Sequence, residues 1–207
     1  MPNRKLTISI ILIWLFNISG IIGILFEYQD WFIPLTPLHL LIYLILILWN
    51  SDITKKLFLG LMIPFFIGMI AEFFGVNYGV IFGNYTYGKN LGIKIFGVPW
   101  MIGVNWAILT YGTAAIAKKL SNRVVITSLI GAVLMVLLDI LMEFSAPRFD
   151  FWEFEKGIIP IQNYIGWLIV AFVCHILFQK IIKEPHFILS THIFLAIVIF
   201  FTTFLFF

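Results

Sequence analysis

Charge is what this chain has least of. Only 11% of its 207 residues are Asp, Glu, Lys or Arg, where a soluble domain carries about a quarter. That scarcity excludes a water-soluble globule. A hydrophobic content of 62% and a mean hydropathy of +1.07 point instead to a chain built for a bilayer. Cysteine is almost missing as well: Cys174 stands alone, which rules out an internal disulfide and a cysteine metal cage. The net charge of +3 comes from basic residues in short turns that form no stripe, so no nucleic-acid partner is expected. There is no glycine-rich nucleotide loop and no histidine pair at metal-ligand spacing. A metal–diphosphate site would need better acid pairs than Asp139 with Glu143 or Asp150 with Glu153. The expectation is a protein without metal or cofactor.

What is present is a series of long apolar runs divided by polar breaks. They predict an all-α, polytopic membrane protein of about seven transmembrane helices in a single integral domain, 1–207. The helices should lie near 6–26, 32–49, 57–82, 98–117, 124–144, 160–182 and 187–207. The first run has no small-residue cleavage site and reads as a retained span. Pro34 and Pro37 are placed to bend the entry of the second helix, and Pro64 predicts a kink or early end in the third. Nine basic residues, from Arg4 and Lys5 to Lys180 and Lys183, fall on one side of these spans. Lys89, Lys94, Arg148 and Lys156 fall on the other. That bias predicts a multi-pass cell-membrane protein with a cytoplasmic N-terminus and its C-terminus outside. Glu72, Asp139, Glu143 and His39 then share the outer half of the bilayer, beneath loops at about 83–97 and 145–159.

The three acids are the candidate chemistry. A charged residue at a helix centre costs roughly 2.5–3.5 kcal/mol on insertion scales, so such residues mark function. Asp139 and Glu143 are four apart and share a helical face. Glu143 also fits a plain helix-end residue among headgroups; Asp139, within "VLMVLLDILM", and Glu72, within "GMIAEFFGV", do not. No lysine or arginine lies in the spans to neutralise them, and an apolar site without a cation favours the neutral, proton-bearing acid. Such a group is a competent proton donor. Around the acids stand Asn77, Tyr78, Asn84, Tyr85 and Tyr87, and further on Trp100, Asn105, Trp106, Trp152, Asn163 and Trp167. An interfacial aromatic belt accounts for about half of these rings; paired asparagines among glycines point to a polar pocket instead. Electron-rich ring faces beside proton donors also suit a carbocation. "GVPWMIGVNW" and "GIIPIQNYIGW" are a faint internal echo in which Pro99 and Pro160 each open a helix.

Four segments in order, "EFFGVNYGVIFGNYTYG", "GVPWMIGVNW", "LLDILMEFSAPRFDFWEF" and "IPIQNYIGW", resemble the membrane carotenoid hydratases of the γ-carotene 1′-hydroxylase and bisanhydrobacterioruberin hydratase type, over about residues 60–180. One departure is that Pro147 follows Glu143 by four residues, where that family tends to have proline directly after the acid. The resemblance implies cofactor-free addition of water to the terminal C1=C2 bond of an acyclic (ψ) carotenoid end, giving a 1-hydroxy-1,2-dihydro end. Glu72, Asp139 and Glu143 would be catalytic, with the asparagines and aromatic residues named above around the substrate. An acyclic or monocyclic carotenoid, water and the lipid bilayer would be the partners, with other carotenoid-biosynthesis enzymes as further candidates. Two rivals stand beside it. A lycopene-cyclase-like enzyme starts with the same protonation but excludes water. A proton-coupled transporter would spread polar residues through the full depth of the bundle, and the inner half here has few. A retinal receptor is excluded because the seventh run lacks a lysine for the Schiff base.

Overall fold

The computed structural model describes residues 4–207. Its helices are α1 (Arg4–Leu25), α2 (Gln29–Phe32), α3 (Thr36–Trp49), α4 (Lys55–Tyr78), α5 (Trp100–Leu120), α6 (Val124–Glu143), α7 (Ile161–Ile181) and α8 (Phe187–Thr203). Six spans are long and apolar enough to cross a bilayer, α2 and α3 acting together as Gln29–Trp49, while α8 is shorter at 17 residues. The all-α polytopic architecture read from the sequence is therefore what the chain adopts. The entry to α3 is broken as Pro34 and Pro37 suggest, by a 3-10 turn at Ile33–Leu35.

The ends of two helices differ from expectation. α4 continues past Pro64, which is buried in the bundle, so the proline does not end the helix. α4 stops at Tyr78 rather than 82. Gly79 takes the left-handed conformation (φ 64°), and the Val80 N–H bonds back to the Phe74 carbonyl, closing the helix end. The last helix ends at Thr203, not 207.

α5 is the axis of the bundle, buried on nearly every face and packed on α3, α4, α6, α7 and α8. Its run of Gly, Thr and Ala at 112–115 allows such close approach. α4, α5, α6 and α7 form a closed ring in which each packs on the next and α7 returns to α4. The helix pairs α4–α5 and α6–α7 each carry a long loop at the same end. Those loops are not plain connections. β1 (Tyr85–Tyr87) pairs antiparallel with β4 (Trp152–Phe154), and β2 (Lys94–Ile95) with β3 (Val98–Pro99). An all-helical reading did not foresee these strands. Arg148 ties the second loop to the C-terminal end through the Phe204 carbonyl (3.0 Å).

Candidate functional site

The β1–β4 ribbon forms a lid over one end of the four-helix ring. Strand alternation sends Tyr85 and Tyr87 inward and Thr86 out, and across the ribbon Trp152 and Phe154 face the same way. Tyr85 stands opposite Phe154 (ring centroids 5.2 Å) and Tyr87 opposite Trp152 (6.3 Å). Beneath this aromatic lid lie Glu72 of α4 and Asp139 and Glu143 of α6, which are 3%, 0% and 5% exposed. All three line one small space of about 20 Å³, enough for a single water.

Each acid has its own set of donors. Glu72 accepts from the hydroxyls of Tyr85 and Tyr87 (the latter at 2.7 Å) and from Trp106 Nε1 at 3.0 Å. Burial, then the Glu72 charge, pushes both phenols well above their ordinary value of about 10, so they stay O–H donors at neutral pH. The Asn163 side-chain amide bridges the other two acids, at 2.8 Å to Asp139 Oδ2 and 3.2 Å to Glu143 Oε1. Trp152 Nε1 donates to Glu143 Oε2 at 3.1 Å. Asp139 Oδ1 is buried with no partner. Three donors converge on Glu72, the pattern around an ionised acceptor, while Asp139 keeps an oxygen free to carry and give a proton.

The floor is a stacked pair of indoles, Trp106 and Trp167, with centroids 4.4 Å apart and planes at 17°. Each is the seventh residue after the proline that precedes its helix, Pro99 or Pro160. The faint sequence echo thus becomes a pair of matching residues meeting at the centre. Gly68 makes room for Trp106: a Cβ there would overlap the indole ring.

Of the residues singled out in the sequence, Tyr85, Tyr87, Asn105, Trp106, Trp152, Asn163 and Trp167 line the acid pocket. Four others lie outside it. Asn77 is exposed and bonds the carbonyls of Phe73 and Phe96. Tyr78 is exposed against Phe73 and Phe74. Asn84 is exposed and reaches Glu155, and Trp100 turns outward onto Phe65. Asn77 and Tyr78 follow Glu72 on α4 by five and six residues, which turns both away from the face that carries the acid. Phe82, Ile102, Met142 and Phe154 also line the pocket and were not anticipated, since apolar side chains in an apolar sequence carry no signal. Among the described residues no group of His, Cys, Asp or Glu is arranged to hold a metal ion.

A polytopic helical membrane protein with a roofed carboxyl pocket at one end of its bundle is the class these features define. The chain belongs to the carotenoid biosynthesis protein family, which it matches over residues 34–207. It is also 31% identical over 116 residues to the bisanhydrobacterioruberin hydratase of Haloarcula japonica. That alignment covers 52% of this chain and 40% of the relative. No solved structure matches the chain significantly.

Proposed function

We propose that this chain is a carotenoid hydratase that adds water to the terminal C1=C2 double bond of an acyclic (ψ) carotenoid end without a cofactor. The observation that carries the reading is Asp139 Oδ1, a partnerless buried carboxyl oxygen inside a three-acid, aromatic-walled pocket of a carotenoid-biosynthesis protein. The name of the Haloarcula relative supports the same reaction class. Asp139 as the neutral acid gives its proton to the CH carbon of the end alkene, forming a C–H bond. The π electrons leave a tertiary cation on the carbon with two methyl groups. The indole faces and the carboxylates of Glu72 and Glu143 stabilise that charge in a site from which bulk water is excluded. Water forms the C–O bond, and the proton it sheds restores the acid. The bias of basic residues supports placing the lid on the outer side of the membrane.

The test is expression in a lycopene-accumulating bacterial host with chromatography and mass analysis of the pigments. Hydration gives pigments heavier by one water per modified end. A product of unchanged mass with a ring would make the protein a cyclase, and unchanged pigment with lycopene and γ-carotene alike would remove the reading.

A further inference from the structure

The acid pocket is the last of three adjoining spaces. Ile102, Asn105, Met142 and Trp152 line both it and a second chamber of about 90 Å³ between α1, α3, α5 and α8. Thr36, His39, Phe151 and Phe200 in turn border a cleft of about 310 Å³ between α1 and α3. The cleft is walled mainly by apolar side chains, and Phe16, Trp31 and Leu38 on its rim are exposed. A long hydrocarbon could enter from the bilayer through this cleft, cross the second chamber and place its tip where that chamber adjoins the acid pocket.

The second chamber is not simply greasy. Asn17 Oδ1, Tyr43 OH and His39 Nε2 all border it, and each is buried without a hydrogen-bond partner. Asn17 and Tyr43 are 1% and 2% exposed. The two side chains are close enough to interact with each other, although Asn17 Oδ1 and the Tyr43 hydroxyl make no hydrogen bond of good geometry. The Asn17 amide nitrogen is held by the Ala196 carbonyl (2.9 Å), and His39 leans on the Tyr43 ring with centroids 4.4 Å apart. Buried polar groups are almost always paired, so three orphans around one cavity indicate a polar guest. In the acid pocket, by contrast, the amide of Asn163, the indoles of Trp106 and Trp152 and both phenols are already committed to carboxylates. Apart from Asp139 Oδ1, the proton donor, the buried polar atoms left unpartnered around these two spaces lie across the chamber.

We propose that Tyr43, His39 and Asn17 form the oxygen site of the reaction, holding the attacking water and afterwards the tertiary hydroxyl of the product. The inference rests on the hydratase reading. The alkene tip lies between two sites with different tasks. Asp139 delivers the proton from one side, making the C–H bond. The water held by the trio makes the C–O bond from the other. Its surplus proton passes to Nε2 of His39 and returns to Asp139, so one water is consumed and no net proton is used.

The test uses membranes holding the full chain, with lycopene as probe, in D₂O. Two reactions are read: hydration, and deuterium incorporation into recovered lycopene through reversible protonation. Tyr43→Phe removes only the unpaired hydroxyl and His39→Phe puts an apolar ring in place of the imidazole, so both variants should fold, which thermal stability in detergent checks. Each should lower hydration at least tenfold while deuterium incorporation continues, raising the exchange-to-hydration ratio by a similar factor. Hydration at the wild-type rate in both variants would overturn the oxygen site and leave the hydratase reading standing. Joint loss of exchange and hydration in a stably folded variant would overturn it too, because the residues would then serve substrate binding. A wild-type protein inert in both reactions would sink the hydratase reading and this inference with it.

Discussion

Asp139 and Glu72 are both buried carboxyls, but their surroundings give them different work. Glu72 is held by two phenols and an indole, and its position is set by groups on β1 and α5. Asp139 shares one amide with Glu143 and keeps a free oxygen. If Asp139 supplies the proton, Asp139→Asn removes the acid while preserving shape and the ability to bond Asn163. Hydration should fall by at least about 10²-fold, the lower end of what a general acid contributes. Membrane yield and thermal stability should stay near wild type. Full pigment conversion by this variant would take Asp139 out of the mechanism. At this scale the sequence was informative for charge and poor for company. Glu72, Asp139 and Glu143 stood out because each interrupts an apolar run. Asn17 interrupts one too, in "WLFNISG", and could have been found by the same logic. Tyr43 could not, because a tyrosine in an apolar helix looks like any other ring.

The elements of the fold were legible to the extent that they are made by local forces. Apolar length and breaks at basic turns located seven helices to within a few residues. The exceptions are instructive. Pro64 was expected to kink or end α4, and the helix does not end there. The ribbon of β1 and β4 was not visible because its strands are 3 residues each and pair across more than sixty residues of sequence. Helix contact is equally specific at Gly68, where a Cβ would overlap Trp106. Gly68→Ala should therefore cost about 1–3 kcal/mol by overpacking, seen as a lower melting temperature in detergent. It should also lower activity, since Trp106 cannot shift without disturbing its bond to Glu72. A variant as stable and active as wild type would show that the α4–α5 contact is looser than described.

At the scale of the whole molecule, two helix–loop–helix units share one pocket, contributing an acid-bearing helix, an inward-facing strand and a tryptophan each. The proposed entry through the α1–α3 cleft can be told apart from entry through the lid. Thr86 and Glu153 are directly opposite on the ribbon, so a Thr86→Cys/Glu153→Cys pair can be oxidised to lock it. With substrate entering from the bilayer, hydration by the locked protein should stay within about twofold of the reduced form, on the scale of 1.4 kcal/mol per factor of ten. Loss on oxidation that reductant restores would show that the lid must open. The sequence by itself determined that this chain is a bundle of membrane helices and that three carboxylic acids lie inside it, because both follow from the cost of placing polar groups in hydrocarbon. Only the tertiary structure decided which donors meet which acid, that two distant loops join as a roof, and that an orphaned polar trio borders the adjoining chamber from α1 and α3. Those outcomes depend on contacts between segments far apart in the chain, and such contacts leave no local pattern to read.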